Sequence, residues 1–353
     1  MSPSDARSNP TQSPILPKER LAYFAGRVNF IKFQARRSLR GVNVMRRSLP
    51  HTLLLLWLAA GCAIGPSAPE TEEEPDDTSA VVSNLLTDIL ERDGDFTQFV
   101  RALESTGLGD VLRGTGPFTV FAPSDSTLEL IAGFDLEGLS EEDTLSFLKY
   151  HIVAGDLTGN GTENTPWAAT LASERLHFAY EHQTVVIDGI TEINRADDTA
   201  DNGRFHRIDL PLLPDSILAT LSLADVIAAS PRLGKLEAAL SQITLLPELD
   251  SLSDATFFAM SDKIIRDSTI DLDALDETQL TDLLSDHLVD EALDSDALAE
   301  LSSITSRSGQ EHPVQSDSGI TLDNRVNVLW EDLVVSNGVL HIVDGILGPE
   351  NGQ

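Results

Sequence analysis

The heptapeptide Thr119-Val120-Phe121-Ala122-Pro123-Ser124-Asp125 has a counterpart 137 residues later, Thr256-Phe257-Phe258-Ala259-Met260-Ser261-Asp262. His151 and His287 form a second pair, separated by 136 residues. A near-constant offset over most of the chain indicates two copies of one domain, because this period is far longer than the roughly 20–50 residues of solenoid repeats. The repeat also allows each candidate site to be compared with its other copy.

Each copy closes with an Asn-Gly turn that leads into a terminal strand, at Asn202 and at Asn337. The predicted bounds are residues 79–214 for the first domain and 218–350 for the second, and each length is sufficient to bury a core of its own. Pro214-Asp215-Ser216 leaves almost no linker, so we expect the two domains to contact each other.

The local patterns within each copy predict a mixture of helices and strands. Apolar residues recur at helical spacing over residues 81–90. Residues 118–122 are rich in strand-forming types and end at Pro123, which suits a buried strand. Ser140 is followed by three acidic residues and is expected to cap a helix, as is its counterpart Asp276. The predicted fold class is α+β.

The amino-terminal part of the chain predicts an export signal. Met45-Arg46-Arg47 is basic, residues 53–60 form an apolar run too short to span a bilayer, and small residues precede Cys62. Ala-Ala-Gly before the cysteine resembles a bacterial lipoprotein signal, in which the cysteine is lipidated and becomes the first mature residue. Cys62 is the single cysteine of the chain. The alternative is an ordinary secretory signal that contains a cysteine.

The lipoprotein signal also predicts the roles of the other amino-terminal residues, from 1 to 78. We expect residues 45–61 to be the lipoprotein signal peptide and translation to start at Met45, so that residues 1–44 are not part of the product. A long basic leader is the alternative. Residues 62–78 are acidic and proline-rich, which predicts an extended tether before the first domain.

The charge of the chain limits its partners. It has 24 Lys and Arg against 57 Asp and Glu, a formal net charge of −33. Ten of the basic and two of the acidic residues lie in residues 1–61, so residues 62–353 carry −41. Such a field repels nucleic acid and anionic head groups. We therefore expect no nucleic-acid partner and interpret the acidity as a solubilising surface.

Three motifs in order resemble the fasciclin domain. They are residues 116–125, residues 148–155 and the Asn202-Gly203 turn with the strand after it, while residues 337–347 are a still closer copy of the terminal motif. The resemblance covers roughly residues 79–350. It implies two fasciclin-like domains, each a β-sandwich or wedge of about seven strands with flanking helices. It also implies an extracellular adhesion or interaction module without catalytic machinery.

The resemblance points to one candidate partner-binding pair, Tyr150 and His151. In the family, a Tyr-His pair with apolar neighbours is implicated in integrin binding. The second copy departs from this pattern because Asp286 stands where Tyr150 stands, so the second domain is degenerate. The alternative favoured by the residues themselves is structural, since half-buried polar aromatic residues usually serve packing. The presence of His287 without a tyrosine supports that alternative.

The sequence does not predict catalysis. Ser124 lacks the glycines of a nucleophile elbow and is expected to cap the next helix. Asp197, Asp198 and Asp201 precede a glycine turn and are calcium candidates, with a solvated loop as the alternative. We expect no enzyme activity, no cofactor and no other metal site.

The sequence therefore predicts a lipid-anchored adhesion or interaction protein of the cell envelope. The membrane is contacted through lipidated Cys62, and the partner is an extracellular or periplasmic protein or glycan. The residue after the cysteine is Ala63 and not the aspartate that resembles an inner-membrane retention signal, which favours the outer membrane. A periplasmic or surface carrier of a small apolar ligand is the alternative function. An exposed apolar patch around Tyr150 would favour adhesion.

Overall fold

The computed structural model describes residues 84–159, 165–181 and 183–348. The predicted signal peptide at 45–61, the lipidated Cys62 and the tether at 62–78 lie outside the described residues. Within the described ranges, no helix has both the length and the apolar character needed to cross a membrane.

The first domain alternates helices with seven strands. Its elements are α1 (Leu86–Asp93), α2 (Thr97–Ser105), α3 (Leu108–Leu112), β1 (Phe118–Pro123), α4 (Asp125–Leu128), α5 (Glu141–Tyr150), β2 (Ile152–Ala154), β3 (Trp167–Ala169), β4 (Arg175–Glu181), β5 (Thr184–Ile187), β6 (Thr191–Ala200) and β7 (Gly203–Ile208). The short helix α6 (Asp215–Leu218) leads into the second domain.

The second domain repeats this series of helices and strands. Its elements are α7 (Leu223–Ala229), a 3-10 turn (Pro231–Leu233), α8 (Gly234–Gln242), α9 (Leu245–Ser251), β8 (Ala255–Met260), α10 (Asp262–Asp267), a 3-10 turn (Leu272–Ala274), α11 (Glu277–Asp286), β9 (Leu288–Val289), α12 (Ser295–Glu300), β10 (Ser303–Thr305), β11 (Glu311–Gln315), β12 (Thr321–Leu322), β13 (Val326–Val335) and β14 (Gly338–Val343).

The predicted helix caps are present in both copies. The hydroxyl of Ser140 accepts a hydrogen bond from Asp143 N at 3.1 Å at the start of α5. Asp276 and Gln279 form a reciprocal capping box at the start of α11. Ser124 caps α4, as expected from its sequence context. These caps satisfy backbone N–H groups that a helix cannot pair internally.

The seven strands of each domain follow one mixed order, β2-β1-β7-β6-β5-β4-β3 in the first domain and β10-β11-β12-β13-β14-β8-β9 in the second. Strand β1 runs parallel to β7, and β8 runs parallel to β14, while the other pairs are antiparallel. The two ends of the first order meet, because Val153 of β2 forms a bridge with Thr170 after β3. This architecture confirms the predicted α+β class with two domains of about seven strands and flanking helices.

Strand β1 separates two apolar clusters of the first domain. Val120 and Ala122 lie with the helix residues Phe99 and Leu103 in one cluster. Phe121 lies in the other, with strand residues of β4 to β7. This division follows from the alternation of side chains across a strand. Buried residues of the first domain also join the core of the second, so the two domains contact each other, as the short connection predicts.

The structure corrects the expected solvated loop at residues 197–203. A solvated loop was the expected alternative to a calcium site, but the structure places Asp197 and Asp198 inside the ten-residue strand β6. The register of β6 against β7 shifts around these residues, and Asp197 has a φ of 66°. A bulge of this kind lets a strand continue through residues that would otherwise interrupt its pairing.

The Asn-Gly turns hold the terminal strands against the helices. The Oδ1 atom of Asn202 accepts a hydrogen bond from Leu86 N at 3.0 Å, and its Nδ2 atom donates to Leu112 O at 2.6 Å and Gly114 O at 2.9 Å. Asn337 repeats the arrangement, with Leu223 N as donor and Leu249 O as acceptor. Each amide therefore ties one turn to two helical segments.

Replacement of Asn202 by alanine should lower the free energy of unfolding by about 3 kcal/mol, because it leaves buried backbone groups without partners. Asn337→Ala should behave similarly in the second domain. Urea unfolding with a two-state fit measures the change. The exposed control Glu129→Gln should stay within about 0.5 kcal/mol of the parent. Equal stabilities of Asn202→Ala and the control would contradict the role of the amide.

Candidate functional site

Tyr150 is the last residue of α5, and its ring is buried with 6% of its surface exposed. Its hydroxyl donates a hydrogen bond to Asp188 Oδ2 at 2.9 Å. Burial raises the pKa of Tyr150 well above 10, and the neighbouring carboxylate of Asp188 raises it further. The hydroxyl therefore stays protonated and acts as a donor.

His151 follows directly and is completely buried. Its Nδ1 atom lies 2.8 Å from Phe147 O, and its Nε2 atom accepts a hydrogen bond from Leu212 N at 2.9 Å. These partners assign a neutral ring with the proton on Nδ1. His287 is held in a similar way in the second domain, but its Nδ1 atom lies 2.7 Å from Phe258 O of β8 instead of a carbonyl of its own helix, and its Nε2 atom accepts a hydrogen bond from Leu347 N at 3.0 Å. The arrangement agrees with the structural role that the sequence favoured.

The other repeated histidine pair is structural as well. In the first domain, His206 Nε2 lies 2.8 Å from Leu157 O and its Nδ1 accepts from Asp197 N at 3.0 Å. His341 makes the equivalent contacts with Leu293 O and Asp332 N. Each ring thus joins the terminal strand to two neighbouring segments.

A partner-binding role for Tyr150 and His151 stays a prediction. All of their side-chain polar atoms are engaged within the domain, so a partner would meet the residues that lie over them. Asp188 is the first of these, since it binds the hydroxyl of Tyr150 and accepts a hydrogen bond from His177 N at 2.9 Å. This contact leads from the buried tyrosine to the surface.

The surface above Asp188 carries an exposed aromatic residue. Trp167 on β3 is 43% exposed and lies opposite His177 on β4. The guanidinium of Arg175 lies 4.0 Å from the centroid of the Trp167 ring, a cation–π contact. We call Trp167, Arg175 and His177 the Trp167 surface. An exposed apolar patch around Tyr150 is a feature that would favour adhesion, but the sequence alone does not identify Trp167, Arg175 and His177 as surface residues.

The second domain has no equivalent of the Trp167 surface within the described residues. Matching hydrogen bonds fix the alignment, because Phe178 N donates to Pro166 O and Val314 N donates to Ser302 O, both at 2.9 Å. This alignment places Ser303 and Glu311 where Trp167 and Arg175 lie. Ser303 donates a hydrogen bond to Glu311 at 2.6 Å, so the aromatic and basic pair is replaced by a polar and acidic one.

The same alignment explains how the second domain tolerates the loss of the tyrosine. Asp286 takes the place of Tyr150, and His312 takes the place of the buried Leu176. His312 is completely buried, and its Nδ1 atom lies 3.0 Å from both carboxylate oxygens of Asp323. Asp323 corresponds to Asp188, so the histidine supplies the hydrogen bond that the tyrosine supplies in the first domain.

Asp286 is itself bound in the space left by the tyrosine. The hydroxyl of Ser308 donates to its Oδ1 atom, and Ser306 lies 3.4 Å from the same oxygen. Three positions have therefore changed together: Tyr150, Leu176 and Ala172 in the first domain correspond to Asp286, His312 and Ser308 in the second. The sequence predicts the change from Tyr150 to Asp286 but not the role of His312. The constant offset of the repeat, which aligns His312 with Leu176, was the signal that could have identified it.

Two of the three calcium candidates, Asp197 and Asp198, bind arginine side chains in the structure. Asp197 Oδ1 accepts from Arg204 Nη1 at 2.7 Å and from Gly159 N at 3.0 Å. Asp198 Oδ1 accepts from Arg195 Nη2 at 2.7 Å. Asp201 lies in the exposed turn between β6 and β7. Among the described ranges, no cluster of three or more His, Cys, Asp and Glu side chains is placed to hold a metal ion.

Two cavities of the described domains are lined in part by carboxylates. One, of about 460 Å³, lies between α8 and α10 and includes Asp262, Asp271 and Asp273 in its lining. Another, of about 310 Å³, includes Asp135 and Asp225 beside Phe134 and Leu221. Carboxylates of this kind do not suit an apolar ligand. The carrier alternative stays a prediction.

Comparison with known proteins identifies the domain type. A family model described as the fasciclin domain matches residues 94–214 and 231–349. The chain is similar to protein sll1483 of Synechocystis sp. (strain ATCC 27184 / PCC 6803 / Kazusa), with 32% identity over 166 residues that cover 44% of this chain and 91% of that protein. It is also similar to the rabbit transforming growth factor-beta-induced protein ig-h3, with 25% identity covering 69% of this chain and 36% of that protein.

Two further similarities involve longer or more distant proteins. Human periostin is 26% identical over 145 residues, which cover 40% of this chain and 17% of periostin. A solved structure of a FAS1 domain pair from the insect cell adhesion molecule fasciclin I matches with a TM-score of 0.44 and 18% identity, covering 73% of this chain and 98% of that one. The chain thus spans well under half the length of periostin and of the rabbit protein.

Substituting Asp286 and His312 together tests whether these two positions of the second domain depend on each other. Asp286→Tyr alone should overpack the space beside His312, and His312→Leu alone should leave Asp323 without its buried partner. Together they restore the residue types of the first domain. A double-mutant cycle measured by urea unfolding should show a favourable coupling of about 1 kcal/mol or more. Additive losses would show that the two positions are independent.

The buried histidines should make the fold sensitive to acid. Burial lowers the pKa of His151 to about 3 and that of His287 to about 4, and it also lowers the pKa of His206 and His341. The unfolded chain then binds more protons below about pH 6.5, so stability is lost as the pH falls from there toward 4. Each histidine contributes up to about 1.4 kcal/mol per pH unit.

Urea unfolding at a series of pH values between 7 and about 4.5 measures this slope. Asp209 and Glu331 act in the opposite direction, because burial raises the pKa of both carboxyl groups, that of Asp209 to about 6, but they are two groups against four histidines. His151→Gln should reduce the slope by up to about 1.4 kcal/mol per pH unit. An unchanged slope in that variant would contradict a neutral, buried His151.

Proposed function

The chain belongs to the fasciclin family, and on that basis we propose that it is a lipid-anchored adhesion or interaction protein of the bacterial cell envelope. Fasciclin domains are non-enzymatic adhesion domains, which agrees with the prediction that the chain is not an enzyme. The tandem arrangement supports an interaction role, since two domains occupy most of the chain after Cys62. The partner is a protein or glycan outside the cell or in the periplasm.

The observation that carries this proposal is the exposed Trp167 surface of the first domain. Tryptophan and arginine are the residue types most enriched among the residues that dominate binding energy at interfaces. Here both are present, stacked on each other and partly exposed. The second domain has Ser303 and Glu311 at these positions. We therefore assign partner contact to the first domain.

Tyr150 and His151 support the Trp167 surface in this proposal. The hydroxyl of Tyr150 holds Asp188, and Asp188 binds the backbone of His177. His151 fixes the end of α5 from which Tyr150 projects. Both are positioning residues, and the side chain that meets the partner is Trp167.

The anchor is proposed from the sequence around Cys62. A lipidated cysteine after a short apolar signal would attach the protein to a membrane, and the lack of aspartate at Ala63 favours the outer membrane. The acidic tether at 62–78 would hold the domains away from the lipid. A single acyl chain anchors only marginally, but the resemblance to bacterial lipoproteins implies several.

An experiment on intact cells tests the location of the protein. Cells that produce the parent chain or Cys62→Ser are treated with a membrane-impermeant amine reagent and fractionated. We expect the parent chain to be labelled and retained with membranes, and Cys62→Ser to be released or unprocessed. Labelling of the parent only after the outer membrane is broken would exclude adhesion between cells.

Beads coated with the purified chain then report adhesion to cells of the same bacterium that lack the protein. Trp167→Ala should reduce bead binding by about 30-fold or more in apparent affinity, the effect of losing a dominant interface residue. The matched control is Leu329→Ala, which removes an apolar side chain exposed to a similar extent on the second domain. Equal losses in both variants would contradict a specific role for the Trp167 surface.

A further inference from the structure

Arg232 of the second domain is almost completely buried against the first domain. It lies in the 3-10 turn after α7, where Pro231 fixes the start of the turn. Its Nη2 atom is 2.9 Å from Glu181 Oε2 at the end of β4, and its Nη1 atom is 3.1 Å from Glu192 Oε1 on β6. The Arg232 side chain is 5% exposed. One guanidinium therefore joins two strands of the other domain.

The planar guanidinium is suited to this position. It presents several N–H donors in a fixed fork and binds two carboxylates without losing its charge. A buried charge is costly when it lacks a partner, so removal of either side of the pair is strongly unfavourable. The contact consequently fixes the distance between the domains as well as their orientation.

Two further contacts from the second domain reach one turn of the first domain, at Gly189 and Ile190 between β5 and β6. The hydroxyl of Ser230 donates a hydrogen bond to Ile190 O at 2.8 Å. The indole of Trp330 lies so close to Gly189 that a Cβ atom there would be 2.6 Å from Trp330 Cγ. Gly189 has a φ of 79°, in the left-handed region that favours glycine. Both contacts form only while this turn of the first domain stays packed against the second domain.

Apolar packing continues across the same boundary. Ile190, Leu210 and Ile217 are each at most 3% exposed and belong to the same cluster as Leu223 and Val226. Burial of such side chains stabilises by about 1.5–3 kcal/mol each. The boundary is thus a continuous apolar core with ion pairs at its edge. We call the ion pairs of Arg232 with Glu181 and Glu192 the Arg232 clamp. An interface that is apolar and buried opposes relative domain motion.

We propose that the Arg232 clamp and the core beneath it lock the two fasciclin domains into one rigid body that unfolds as a unit and meets a partner as a unit. The Trp167 surface is then presented at a fixed orientation relative to the second domain. A preorganised pair loses less conformational freedom on binding than two domains on a hinge. This inference does not depend on which partner is bound.

Tryptophan fluorescence in the full chain tests the lock. The chain has three tryptophans, so Trp57→Phe together with Trp167→Phe leaves Trp330 as the reporter at the boundary. In this parent we expect the urea transitions followed by Trp330 fluorescence and by far-ultraviolet circular dichroism to coincide. Two separated transitions in the parent would overturn the proposal.

Arg232→Ala should separate the two transitions, with the Trp330 signal changing at lower urea. It should also increase quenching of Trp330 by acrylamide in the absence of urea. The control is Arg266→Ala, an exposed arginine for which we find no ion pair within the described residues, and it should change neither signal. Coincident transitions and unchanged quenching in Arg232→Ala would overturn the proposal.

A second variant covers the case in which Arg232→Ala does not fold. Glu181→Gln with Glu192→Gln removes the clamp from the first-domain side, where both side chains are partly exposed and their loss leaves no cavity. It should separate the transitions in the same way. Behaviour identical to the parent would show that the clamp does not couple the domains.

Discussion

The parallel pairing of the first strand with the last is the constraint on which each domain depends. Strand β1 joins β7 across some 80 residues of chain, and β8 joins β14 in the same way. Contacts so distant in sequence cost loop entropy before they contribute any stability. Buried polar side chains on and beside the terminal strand offset that cost by giving the pairing a single register.

Asn202 and His206 illustrate how the register is fixed. Asn202 bonds to the backbone of helical segments on one side of the terminal strand, and His206 bonds to Leu157 and Asp197 on the other. A shift by one residue would exchange the two faces of the strand and leave these buried groups without partners. The repetition of both residues at Asn337 and His341 therefore reflects folding. The candidate adhesive features are the positions at which the two copies differ.

The local parts of this structure could be predicted from the sequence, and the long-range parts could not. Ser140 and Asp276 were identified as caps because their bonding partners lie three residues away. The acidic run at Asp197 was not identified as strand, because its charge is neutralised by Arg204 on the neighbouring strand. Similarly, the stacking of Arg175 on Trp167 exists only once β3 pairs with β4. Such pairs require the sheet order, which no local pattern specifies.

The scarcity of basic residues explains why arginine occupies the junctions between elements. Within the described residues, four partly or fully buried arginines each bind at least two carboxylates: Arg204 with Asp156 and Asp197, Arg207 with Asp93 and Asp95, Arg232 with Glu181 and Glu192, and Arg307 with Glu248 and Asp290. A lysine presents one point charge, whereas the guanidinium fork holds two acceptors at once. In a chain with a net charge of −33, the same bonds also relieve repulsion between the carboxylates that they bring together. The acidic surface and the fixed domain geometry therefore depend on the same few arginines.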